Sequence, residues 1–168
     1  MDAVSHKGSE TVEGDLVMNF EFRLATLADV PEILLLDPMA EREERRYDYV
    51  SRSIQGDMGR TVNVLMLDGM IAAFSVVGEF FGHPFLELIA TAPNRRRLGV
   101  ASTLLSHIET GIDDDRLFVS ASESNTIMRD LLIQRGYRIT GMVENLDPND
   151  AEIFFVIFKV FIDAQLRA

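Results

Sequence analysis

The sequence contains no cysteine, so disulfides, a thiolate nucleophile and cysteine-ligated zinc are all excluded. Histidine is nearly absent, with only His6, His83 and His107, and none has a partner at metal-ligand spacing. No metal site is expected. No apolar run approaches the ~18 residues that a membrane span requires, and no basic-then-apolar signal peptide is visible. Basic residues are in deficit, 16 against 27 acidic ones, which gives a net charge of −11. Such a surface repels nucleic-acid phosphates and anionic lipid and suits a cationic partner, although acidity also serves solubility alone. These absences point to a cytoplasmic protein with neither a nucleic-acid nor a membrane partner. What is present is a 47% apolar fraction across 168 residues, enough for one domain with a core.

Residues 1–17 are polar and weakly periodic and read as a tail or arm, followed by a domain over 18–168. Phe20, Phe22 and Leu24 alternate with polar residues as a first strand. Thr26-Leu27-Ala28-Asp29 has the spacing of a capping box, opening a helix with Val30, Ile33 and Leu34 on one face and ending at Asp37-Pro38. A second, charged helix is expected over Glu41–Ile54, carrying Tyr47, Tyr49 and Val50 inward. Thr61–Leu67 and Met70–Gly78 flank Asp68-Gly69, a strong hairpin signal. Phe85–Thr91 is a strand, Gly99–Thr110 a helix, Leu117–Ala121 a strand and Asn125–Arg135 a helix stopped by Gly136. Tyr137–Val143 and Glu152–Val160 close the chain as strands joined by the acidic turn Asn145–Asp150. A helix between the Phe85 and Leu117 strands makes that pair parallel. The fold class is α+β, a mixed, mostly antiparallel sheet of about six to seven strands with about four helices.

The chemistry concentrates in Thr91-Ala92-Pro93-Asn94-Arg95-Arg96-Arg97-Leu98-Gly99-Val100-Ala101-Ser102, where a strand feeds a basic loop that becomes the first turn of a helix. Helix N-termini carry unpaired N–H groups and the positive dipole end, which suits an anion such as a pyrophosphate. Gly99 permits close approach of backbone to ligand, and Ala101 adds little obstruction. The alternative is a solvated basic turn paired with an acidic surface.

Arg96-x-x-Gly99-x-Ala101 resembles the Q/R-x-x-G-x-G/A signature of the GNAT superfamily of N-acetyltransferases. Glu123-Ser124-Asn125 followed by Gly136-Tyr137 resembles a second block of that family, and the element order from Phe20 to Val160 agrees. The resemblance implies a splayed sheet and acetyl-CoA as co-substrate. It implies that the pantetheine arm pairs with Ile89, Ala90 and Thr91. The pyrophosphate would lie on the loop amides of Arg97, Leu98, Gly99, Val100, Ala101 and Ser102, the signature Arg96 would belong to the same cofactor site, and the Asn125 side chain would contact the pantetheine. Asn125 is equally a good helix N-cap.

Acetyl transfer to an amine requires a base, an oxyanion donor and, at times, an acid for the thiolate. Glu87 stands nine positions before Arg96, where several GNAT enzymes resemble this chain in carrying a glutamate, and is the candidate base. Its alternative is a solvated strand face. The resemblance assigns the oxyanion to a backbone N–H near Ala90 or Thr91. Many family members place a tyrosine seven residues after the asparagine, and here that position is Leu132, which donates no proton. Ser122, Ser124, Tyr47, Tyr49, a water or an unassisted thiolate are the remaining routes. The expectation is direct acetyl transfer to the amine of a cationic small molecule or peptide. Its alternative is a non-catalytic acyl-CoA-binding sensor or regulatory module, which Leu132 favours. The nearly continuous hydrophobic run Ile153–Phe158 implies burial on both faces and is compatible with a homodimer.

Overall fold

The computed structural model describes residues 6–8, 18–41 and 43–167. Apart from His6–Gly8, the tail expected over 1–17 lies outside the described residues. The described residues form eight strands, β1 (His6–Gly8), β2 (Phe20–Leu24), β3 (Thr61–Leu67), β4 (Met70–Phe80), β5 (His83–Thr91), β6 (Arg116–Ser122), β7 (Arg138–Asp147) and β8 (Asp150–Phe158). The helices are α1 (Val30–Leu36), α2 (Arg46–Ile54), α3 (Val100–Gly111), α4 (Thr126–Gln134) and α5 (Lys159–Leu166). The hydrogen-bonded strand order is β1-β2-β3-β4-β5-β6-β8-β7, mostly antiparallel, as the α+β reading anticipated. The expected parallel pair is β5 with β6, whose register holds two residue pairs, Phe85↔Phe118 and Leu86↔Val119. The chain groups into two compact units, Met1–Val77 with Leu88–Leu104, and Gly78–Glu87 with Leu105–Ala168.

The first unit is built on the β3–β4 hairpin. Asp68 and Gly69 both adopt positive φ, 54° and 79°, as a two-residue turn matched to strand twist demands. Val62, Val64, Ile71, Phe74 and Val76 from this hairpin pack with Val30, Ile33 and Leu36 of α1 and with Val50 of α2. The register of β3 with β4 slips between Leu65 and Met66, so that Leu65 opposes Ala73 while Met66 opposes Ile71. Ala72 is the extra residue of the resulting bulge. Glu32 of α1 accepts the Ile71 N–H at 2.8 Å beside it. The helix α2 starts at Arg46 rather than at Glu41, because the run before it is charged and offers no apolar face to bury. Tyr47, expected inward, is 57% exposed, since Val50 and Ser53 define the buried face.

Asp29 anchors the start of α1. It accepts the Thr26 N–H at 2.7 Å and pairs with Arg23 at 2.7 Å. The Arg23 guanidinium holds its carboxyl at about 2, below the ordinary carboxylate value. A carboxylate with a lowered folded-state pKa stabilises the fold above its unfolded value of about 3.9, and that contribution is lost as pH falls through the folded value. Asp29→Asn is therefore expected to cost about 1 kcal/mol at neutral pH, a figure set by capping and a partly exposed ion pair. The difference from the native protein should close near pH 2 in urea denaturation.

The second unit carries β6, β8 and β7 with α4, α5 and most of α3. Leu117, Val119, Phe155 and Ile157 are buried, as is Leu132 of α4. The continuous apolar run in β8 follows from its interior place between β6 and β7. Glu109 of α3 is buried and accepts from Tyr137 Oη at 2.9 Å, from Arg135 Nε at 3.0 Å and from Arg135 Nη2. Burial, reinforced by the Glu109 charge, pushes the Tyr137 phenol well above its ordinary value. The last strand ends at Phe158, two residues short of the expected limit, and α5 follows it. Lys159 turns the chain there, donating its N–H to Asp115 O at 2.8 Å and its Nζ to Ile112 O at 2.9 Å. β7 extends to Asp147, so the expected turn over Asn145–Asp150 narrows to Pro148-Asn149.

Candidate functional site

The basic loop is fixed at its base and open at its tip. Ala92, buried at the end of β5, donates its N–H to the carbonyl of the bulge residue Ala72 at 2.8 Å. Pro93–Arg95 form a 3-10 turn, and Arg95 approaches Asp68 of the β3–β4 turn at 3.8 Å. Arg96 is extended, Arg97 enters the left-handed region at φ 62°, and Gly99 does so again at 75°. Val100, 1% exposed, then pins the first turn of α3, and Thr103 makes the first intrahelical bond, N–H to Gly99 O at 2.9 Å. Arg96, Arg97, Leu98 and Gly99 are all exposed.

This conformation has the elements that can receive an anion. Two left-handed residues precede the N-terminus of the twelve-residue α3, whose first N–H groups have no partner within the helix and whose dipole adds partial positive charge there. The space above Gly99 is clear, because a Cβ built on it meets no atom within 4 Å. Room, exposed donors and flanking guanidiniums fit a pyrophosphate, and Ala101 and Ser102 follow in the same first turn.

Ile89, Ala90 and Thr91 form the last part of β5 before the loop. Leu86 and Ala90 are buried and Leu88 packs on the core, so strand alternation carries Phe85, Glu87 and Ile89 on the opposite face. Glu87 is half-buried there and takes part in polar interactions. Asn125 serves as the N-cap of α4, its side chain accepting from the Met128 N–H at 3.2 Å. Leu132 is wholly buried, so the position that carries a tyrosine in many family members faces core in this chain. Of the alternative acids, Ser124 is held by Asp150 through its hydroxyl at 2.6 Å and its N–H at 3.0 Å, and Ser122 donates to Glu152 at 3.3 Å.

Sequence spacing showed His83 no partner, but the fold brings its Nδ1 to 3.1 Å from Asp114, and Asp115 has a carboxylate oxygen close by. Arg116 occupies both Asp115 oxygens at 2.6 and 2.7 Å and holds its carboxyl at about 2. The Arg116 N–H also donates to Asp114 at 3.1 Å, so the grouping is an ion-pair cluster. The Ala72 bulge and its bond to Ala92 were also unforeseen, and no local sequence signal marks them.

A strand that feeds a basic left-handed loop and a helix N-terminus, within a mixed sheet holding one parallel pair, is the architecture of an acyltransferase of the GNAT type. The chain belongs to the GNAT family of acetyltransferases. It is 33% identical to a GNAT-family acetyltransferase from Bacillus cereus, covering 83% of this chain and 97% of that one at a TM-score of 0.73. Its fold also matches the spermidine/spermine N-acetyltransferase from Vibrio cholerae, at 16% identity, 87% and 98% coverage and a TM-score of 0.70. A Salmonella typhimurium protein solved with its cofactor acetyl-CoA matches at 14% identity, 83% and 94% coverage and a TM-score of 0.65. No protein-family model and no curated protein matches the chain.

Proposed function

We propose that this chain is an acetyl-CoA-dependent N-acetyltransferase that passes the acetyl group directly to the amine of a cationic small molecule or peptide. The observation that carries this reading is the open cradle at Arg96–Ser102, left-handed at Arg97 and Gly99 and continued by the N-terminus of α3. When bound there, acetyl-CoA supplies an activated thioester carbonyl. Backbone amides from Arg97 to Ser102 bind its phosphates, with Arg96 and Arg97 adding charge. The edge of β5 at Ile89–Thr91 aligns the pantetheine, and an N–H near Ala90 or Thr91 meets the developing oxyanion. Asn125 adds a contact in addition to its capping role.

Glu87 takes the proton of the incoming ammonium, directly or through water. The C–N bond forms at the thioester carbon before the C–S bond breaks, the nitrogen's second proton passes to solvent, and the sulfur departs as a thiolate, which leaves readily because an ordinary thiol pKa is about 8.5. With Leu132 buried, no tyrosine acid at that position is required. The acidic composition, with a net charge of −11, supports a cationic acceptor.

The test is acetyl-CoA-dependent thiol release across polyamines, aminoglycosides, amino acids and short peptides. Acceptor-dependent release is the expected result. Silence across the panel, with tight acetyl-CoA binding in the same samples, would overturn catalysis in favour of a regulatory acyl-CoA-binding module, the reading that Leu132 also suits.

A further inference from the structure

Within the unit formed by Gly78–Glu87 and Leu105–Ala168, four phenylalanines from four strands converge on one sheet face. The Phe80 ring of β4 lies 5.5 Å from Phe85 of β5, 5.7 Å from Phe118 of β6 and 5.5 Å from Phe154 of β8. Phe85 and Phe154 are themselves stacked at 6.0 Å and 14°, and the His83 ring stands 5.8 Å from Phe118. None of these rings is fully buried. The residues between them in the strands, Leu117, Val119 and Phe155, are at most 1% exposed, so the opposite face is the closed one. A contiguous apolar patch left partly in water, rimmed by polar groups, is a feature of ligand-binding surfaces.

Carboxylates continue the same face. Glu87 follows Phe85 by one strand period, and Ser122 with Glu152 follow Phe118 and Phe154 along β6 and β8. We propose that this face seats the acceptor and selects an amine bearing an aromatic ring, with the ring lying on Phe85, Phe118 and Phe154 and the ammonium directed to Glu87. The proposal rests on the N-acetyltransferase reading and on Glu87 as its base. Charge complementarity selects the occupant. The rings offer stacking and cation–π attraction, and the carboxylate offers an ion pair, so an arylalkylamine uses both. A plain polyamine leaves the rings in water. A second copy of the chain would bring Glu87 and Glu152 against a like-charged face and strip both of water.

The experiment compares phenethylamine with butylamine, equal in charge, and with spermidine, under saturating acetyl-CoA. Phenethylamine is expected to give a kcat/KM about tenfold or more above the other two, the factor that one well-placed ring contact provides. Phe154→Leu, which keeps an apolar side chain and removes the ring, should raise the KM for phenethylamine about tenfold and leave kcat and the acetyl-CoA affinity near native. Calorimetry of phenethylamine with the CoA-loaded protein provides a readout independent of turnover. Equal or better use of butylamine or spermidine would overturn the ring-bearing acceptor while leaving the acetyltransferase reading intact. Absence of both turnover and phenethylamine binding would overturn it as well. Failure of acetyl-CoA to bind would instead strike the acetyltransferase reading, and amine binding would still decide the platform. Phe81, 89% exposed with its ring 4.8 Å from Phe80, borders the same cluster; if sedimentation shows a dimer that Phe81→Asp dissociates with the amine preference unchanged, the face is a subunit contact and the proposal fails.

Discussion

Gly99→Glu is expected to weaken acetyl-CoA binding by about a hundredfold or more, a loss of roughly 3 kcal/mol. Two separable effects contribute. Gly99 sits at φ 75°, where any L residue carries strain of about 1–2 kcal/mol. That term belongs to the backbone, not to crowding, because a Cβ at this position meets nothing within 4 Å. The second effect is a carboxylate placed over N–H groups and a helix dipole that would otherwise hold phosphates, which exchanges attraction for repulsion. Gly99→Ala separates the two, since it retains the strain and adds no charge. It should lower Tm by a few degrees, about 2–4 °C per kcal/mol for a chain of this size, and should reduce acetyl-CoA affinity only modestly. Calorimetric titration of both variants checks this. Native affinity in Gly99→Glu would mean that the loop is a basic turn with no phosphate on it.

The loop was legible in sequence because its determinants are local. Gly99 and the apolar positions after it fix the turn and the start of α3, and Asp68-Gly69 likewise fixes its own hairpin. What escaped is what long-range packing decides. The bond from Ala92 to the bulge at Ala72 joins residues twenty positions apart, and no residue type announces it. Glu109 meets Arg135 and Tyr137 across more than twenty residues, a pairing that helical periodicity cannot reveal. Leu132 illustrates the limit most clearly. Its identity showed that the usual proton donor is missing, but only the fold showed that its position lies in the core. The Phe-rich run in β8 reads as core from its hydrophobicity, and most of it is. Ile153, Phe155, Val156 and Ile157 are buried, whereas Phe154 is half-buried and joins the ring cluster with Phe80 and Phe85.

Glu87→Gln is expected to reduce kcat by about 10²–10³ at neutral pH, within the range that a positioned general base contributes. Glutamine keeps the size and hydrogen-bonding of the side chain but accepts no proton, so the acetyl-CoA affinity and Tm should stay near native. An ammonium nucleophile has no lone pair, and without a base only the small deprotonated fraction present in solution reacts. The loss should therefore shrink as pH rises toward the amine's own pKa, near 10 for an alkylamine of lysine type. A purely structural role for Glu87 would lower activity equally at all pH values and would lower Tm with it. The pH profile thus discriminates between the two. In Glu87→Gln, kcat/KM should rise steadily with pH, following the free amine. Turnover at the native rate at neutral pH would remove Glu87 from the chemistry and leave proton removal to solvent.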